Sequence, residues 1–108
     1  MEQTRLEFLE ESLRSDPGSA FLRYALAMEF ANAGRSQEAW AQFQHLLAHS
    51  PDYSAAYYQA GKLLARLGRH EEARQILAKG IEVTGKQGNR HAQSELEAAL
   101  EELGTGRA

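Results

Sequence analysis

Gly34-Arg35-Ser36-Gln37-Glu38-Ala39 returns as Gly68-Arg69-His70-Glu71-Glu72-Ala73, a spacing of 34 residues. Asp16-Pro17 and Pro51-Asp52 mark the same period, proline to proline. A fixed repeat of this length is the signature of stacked helix-turn-helix units, none of which buries its apolar face alone. In each copy the glycine closes one helix, because it takes left-handed backbone without a Cβ penalty. The Glu-Ala pair then falls in the opening turn of the next helix.

Outward from these motifs the apolar residues keep helical spacing. Leu6, Leu9 and Leu13, with Phe8 beside them, predict a helix over 4–15 that Asp16-Pro17-Gly18 stops. Ser19 is the expected N-cap of a helix over 20–33, whose stripe is Leu22, Leu26, Phe30 and Ala33. Ser36 is expected to cap a helix reaching about residue 49, with Ala39, Phe43, Leu46 and Leu47 inward. The plan then repeats as a helix over 54–67 (Tyr57, Ala60, Gly61, Leu64) and one over 71–83 (Ala73, Ile76, Leu77, Gly80, Ile81). Residues 84–89, with Gly85 and Gly88, read as a soft connection about two residues longer than the period requires. A last helix over 91–103 carries Leu96, Ala99, Leu100 and Leu103. Gly104 stops it, and residues 105–108 are expected to fray. Gly61 and Gly80 sit inside helices, as expected where two helix axes cross closely, and no strand signal is present.

At 108 residues, 43% hydrophobic and 25% charged, the chain has the balance of one globular domain. It has no cysteine, hence no disulfide framework, thiolate metal site or cysteine nucleophile, which fits a cytoplasmic protein. The N-terminus lacks the basic start and apolar stretch of a secretory signal, and no apolar run is long enough to cross a membrane. The net charge of -3 gives no basic footprint for nucleic acid. Glu2, Glu7, Glu10 and Glu11 load the first helix, and Glu95, Glu97, Glu101 and Glu102 the last. Lys62, Arg66, Arg69, Arg74, Lys79, Lys86 and Arg90 lie between them. These charges read as solvated helix faces, or more sharply as a basic centre between acidic ends. Acidic outer helices suit the polar caps that a repeat stack needs, so the chain reads as a complete short solenoid.

Chemistry has little support in the residues. No nucleophile elbow, phosphate-cradling glycine loop or isolated carboxylate pair is present, so no catalytic residue and no cofactor is expected. Tyr53, Tyr57 and Tyr58 cluster at a turn and helix start, where packing accounts for them. His45 and His49 have the spacing of two metal ligands, but with no third ligand near in sequence they read as surface histidines and no metal is expected. Trp40 follows the small Ala39 and is expected to pack between helices; an exposed indole would instead mark a second interface.

The units resemble tetratricopeptide repeats. The family pattern is W-x2-L-G-x2-Y, then A-x3-F, then P. Here it reads Arg23-x2-Leu26-Ala27-x2-Phe30, Ala39-x3-Phe43, Pro51, and then Tyr57-x2-Ala60-Gly61-x2-Leu64, Ala73-x3-Leu77. The resemblance implies an all-α, right-handed superhelix of about six helices, similar to small stand-alone bacterial proteins of this class. It divides the chain into a capping helix (4–15), two repeats (20–53 and 54–87) and a second capping helix (90–104). Three positions depart from the pattern. Arg23 replaces a large aromatic, so its head is expected to reach Glu7, Glu10 or Glu11. Leu46 replaces a small residue, and Gly85 replaces the closing proline, which leaves the direction of the last helix open.

In this family the first helix of each repeat lines a concave groove that binds peptides. By position that groove would show Phe21, Tyr24, Ala25, Met28 and Asn32, then Tyr58, Gln59, Lys62, Ala65 and Arg66, then His91, Ser94 and Glu95. Aromatics with a few polar groups make a recognition surface. The alternative is that they pack on each other in a short, partly self-filled groove. The lysine, asparagine and arginine clamp for chaperone tails is missing: its places hold Tyr24, Met28, Gln59, His91 and Glu95. The sequence therefore points to a non-catalytic adaptor for a protein or peptide. The competing reading is a structural subunit or homodimer that associates through outer or end surfaces.

Overall fold

The computed structural model describes residues 3–104. They form α1 (Arg5–Ser15), α2 (Ala20–Asn32), α3 (Ser36–His49), α4 (Ser54–Arg66), α5 (His70–Gln87) and α6 (Arg90–Gly104). The expected all-α class holds, with no strand among the described residues. The expected fraying of residues 105–108 lies outside them. The chain divides into two compact units, Met1–Ser50 and Pro51–Ala108. In the first, α2 packs on both α1 and α3; in the second, α4, α5 and α6 all pack on one another.

The repeated motif closes helices in one way. Gly34 and Gly68 take φ of 77° and 78°. The Gly34 N–H donates to Ala31 O at 3.1 Å and the Arg35 N–H to Phe30 O at 2.9 Å. Gly68 and Arg69 repeat these bonds to Ala65 O at 3.0 Å and Leu64 O at 2.9 Å. This Schellman closure satisfies carbonyls that the helix end would otherwise leave open.

The closure also corrects the expected cap of α3. Ser36 is the first residue inside the helix, and Arg35 stands at the cap with no side-chain bond to the backbone. The Arg35 guanidinium instead forks onto Glu38, Nε to Oε1 at 2.7 Å and Nη2 to Oε2 at 2.6 Å. Side-chain caps form at three other helix starts, one of them directly after the Gly88 closure. Ser19 Oγ accepts from Leu22 N–H at 3.1 Å. Thr4 and Glu7 form a reciprocal capping box at α1. Asn89 Oδ1 accepts from Ala92 N–H at the start of α6.

The soft connection expected at 84–89 is mostly helix, since α5 runs on to Gln87. Thr84 is fully buried, and its hydroxyl donates to Gly80 O at 2.8 Å. With no proline at position 85, nothing removes a backbone donor there. Gln87 Nε2 then donates to Asp52 O at 2.8 Å, tying the added turn to the loop before α4. Only Gly88, at φ 71°, ends the helix.

The cores follow the predicted stripes. Leu26, Ala27, Phe30, Ala39, Phe43 and Leu46 are buried in the first unit, and Tyr57, Ala60, Leu64, Ala73, Leu77 and Leu96 in the second. Ala33 is exposed, because the chain is already leaving α2 there. Trp40 is only 8% exposed, as expected of an indole packed between helices, so it does not itself mark a second interface. Arg23 is also corrected. It donates to Gln42 Oε1 at 2.8 Å and to Pro17 O at 3.2 Å, since the turn before α2 brings a carbonyl closer than the glutamates of α1.

Candidate functional site

On α2, Phe21 is 67% exposed and Asn32 is exposed, while Tyr24, Ala25 and Met28 are half-buried. Tyr24 sets its edge on Phe43, with ring centroids 6.2 Å apart and planes at 64°. One of the proposed anchors thus contributes to the core of its own unit, and its ring is only partly available.

The second unit brings more of the expected residues together. Along α4, Tyr58, Gln59 and Ala65 are half-buried and Lys62 and Arg66 are exposed. Four residues apart, Tyr58 and Lys62 share one helix face, and the ammonium sits 5.1 Å from the ring centroid. Lys62 also edges a cleft of about 80 Å³ lined by Gly61, Ala65, Leu77, Ala99, Glu102 and Leu103. At its wall Gly61 lets Leu77 close against α4, because a Cβ at that position would collide with the Leu77 side chain. His91 and Glu95 lie on the opening half of α6, exposed, with Nε2 and Oε2 3.7 Å apart, and they pair when His91 is protonated. They do not line the cleft, and neither does Tyr58 or Arg66. Sequence reasoning did not place Ala99, Glu102 and Leu103 at a site. The helical spacing of Ala99 and Leu103 with Leu96 was visible, but the way α6 packs on α4 was not.

The electrostatics are those of a surface. Arg69 forks onto Glu72 as Arg35 does onto Glu38, and these bonds hold both carboxylates below their ordinary range. Burial, followed by the fields of Asp52 and Glu82, pushes the Tyr57 hydroxyl up; it donates to Pro51 O at 2.5 Å. Among the described residues no group of three or more His, Asp or Glu gathers as a metal site would need, and no helix is long and apolar enough to cross a membrane.

Antiparallel helices joined by three-residue glycine turns, repeated every 34 residues with small residues where they cross, define a helical-repeat protein. The family model for the tetratricopeptide repeat matches residues 30–100, and the chain belongs to that family. A tetratricopeptide repeat domain protein from Salinibacter ruber, solved in solution, is 39% identical over 81% of this chain and 88% of its own, with a TM-score of 0.77. Its crystal structure matches at 0.75, covering 79% of this chain and 96% of that one. A solution structure of a protein from Bordetella parapertussis is 27% identical, covers 97% of this chain and 91% of its own, and has a TM-score of 0.84. No curated protein matches the sequence. Proteins of this family mediate protein–protein interaction and are typically non-catalytic.

Proposed function

We propose that the protein is a cytoplasmic, non-catalytic adaptor that binds a peptide or protein segment along the first helices of its two repeats, 20–53 and 54–87. The helices at 4–15 and 90–104 act as caps. Within the second unit, Tyr58 supplies an aromatic platform, Gln59 hydrogen bonds, and Lys62 and Arg66 positive charge. Within the first, Phe21, Tyr24 and Met28 supply apolar contact and Asn32 a polar one. His91 and Glu95 add a polar pair on α6. The observation that carries this reading is the Tyr58–Lys62 stack at 5.1 Å, which holds an exposed cation beside an apolar cleft. An aromatic with a cation at the rim of an apolar recess is what a recognition surface uses.

The test is a quantitative pull-down from native lysate with wild type beside Tyr58→Ala/Lys62→Glu, both checked for helicity by circular dichroism. A partner held by wild type and lost by the folded double variant is the expected result. Equal retention by both, or recovery of the protein's own copies alone, moves the function to an outer or end surface.

A further inference from the structure

The turn between α1 and α2 and the last turn of α3 enclose a second cleft, of about 90 Å³, within the first unit. Its lining includes Pro17, Ser19, Arg23, His45, Leu46 and His49. One water needs about 10–15 Å³ of such volume, so there is room for a small polyatomic ion with part of its hydration. No carboxylate lines the cleft; the nearest in sequence, Asp16, is exposed and outside the lining.

Three nitrogen-bearing side chains converge here, and none is neutralised. Arg23 is half-buried and spends two donors on neutral oxygens, Gln42 Oε1 and Pro17 O. A guanidinium has five donors, so three remain. No ion pair joins it to an acid among the described residues. His45 and His49 stack with ring centroids 4.2 Å apart and planes at 20°. His49 Nδ1 lies 2.9 Å from His45 O, so it carries the proton and donates, leaving Nε2 as the nitrogen that gains charge on protonation. Ser19 and the first residue of α2 lie on the same wall, where the helix dipole adds a fixed positive field. Partial desolvation, then the fields of Arg23 and His49, hold His45 below its ordinary value. A cation would add to those fields, which argues against a metal on the histidine pair. An anion would relieve them.

We propose that Arg23, His45 and His49 form a subsite for one tetrahedral oxyanion of the phosphate class, free or carried as a phosphomonoester. The guanidinium supplies planar N–H donors suited to phosphate oxygens, and each imidazole adds a charged donor once protonated. The site lies wholly within residues 17–50 and does not depend on the peptide-binding reading above.

The test is an NMR titration of the full chain with inorganic sulfate, inorganic phosphate and methyl phosphate, at pH 6.0 and 7.5, against chloride at matched ionic strength. Sulfate stays a dianion over this range, so its pH dependence reports the protein alone. Saturable shifts of the Ser19–Arg23 amides and the two imidazoles are expected. Sulfate should bind about threefold or more tightly at the lower pH, because the protonated imidazoles favour it. Arg23→Gln should weaken binding about tenfold, the scale of a charge-assisted hydrogen bond. His49→Gln, which leaves the Arg23 bonds in place, should weaken binding and reduce the pH dependence to what His45 alone contributes. Lys86→Gln, in the other unit, should change nothing. Tighter binding of inorganic phosphate assigns the free ion and tighter binding of methyl phosphate the ester; either supports the site. Shifts that never saturate, that chloride reproduces, or that survive in both Arg23→Gln and His49→Gln overturn it.

Discussion

Gly80 lies so close to Tyr57 that a Cβ built on it would come within 2.6 Å of Tyr57 Cβ and 3.1 Å of Leu96 Cδ1. The glycine therefore sets how near α5 approaches α4 and α6. Tyr57 Cβ is fixed to the α4 backbone and cannot swing aside, so Gly80→Ala must push helices apart. We expect a loss of about 2–3 kcal/mol in urea unfolding, the scale of overpacking a core. At Gly61 the obstacles are Leu77 Cδ2 and Cγ, side-chain atoms that can shift by rotation about the Cα–Cβ bond as Tyr57 Cβ cannot. Alanine gains about 1 kcal/mol in helix propensity at either site, so the difference between the two variants reports packing. Gly61→Ala should cost clearly less than Gly80→Ala; the reverse order would contradict this packing.

The closing turns make a separate prediction. Gly34 and Gly68 have open space around them but φ of 77° and 78°. Alanine there meets backbone strain and no clash, so each substitution should cost about 1–2 kcal/mol. Gly18 also has open space and has no positive φ, so Gly18→Ala should be close to neutral. Urea midpoints, with an unchanged slope, are the readout.

The forked pairs set part of the acid limb of stability. Hydrogen bonds from Arg35 and Arg69 lower the Glu38 and Glu72 carboxyls, and Thr4 lowers Glu7. A carboxyl whose folded value is depressed stabilises above its unfolded value, and the gain is lost as pH falls through the folded one. Stability should therefore drop as pH falls below the ordinary glutamate range. Glu38→Gln/Glu72→Gln should flatten that drop while leaving the profile above pH 6 nearly parallel to wild type. An unchanged acid limb would show that the exposed pairs are fully screened.

Trp40 is the one tryptophan and is 8% exposed, so it reports the core of the first unit. Its emission should be blue-shifted and weakly quenched by acrylamide in the native protein, and should shift red on unfolding. Strong quenching in the native state would return the indole to the surface and revive an outer-face interface.

Much of the fold was legible because its determinants are local. Apolar spacing, Gly34 and Gly68 as stops, and Ser19 as a cap all act within a turn or two, so the residue types alone carry them. The cap at Ser36 was misplaced because the residue that follows the glycine closure, Arg35, takes the cap position and leaves Ser36 inside the helix. The end of α5 was misread because glycine at 85 signals a break locally. The buried Thr84 bonds to Gly80 O one turn back, and the Gln87–Asp52 bond adds a partner distant in the chain.

By itself the sequence determined the repeat, the helix count, the stops and the faces that turn inward, since periodicity and backbone preference are properties of neighbouring residues. Tertiary structure alone decided that Arg23 would meet Pro17 and Gln42 rather than a glutamate, and that Lys62 would share a cleft with Glu102 and Leu103. Each depends on where one helix lies against another, and long side chains take whichever partner that packing brings within reach.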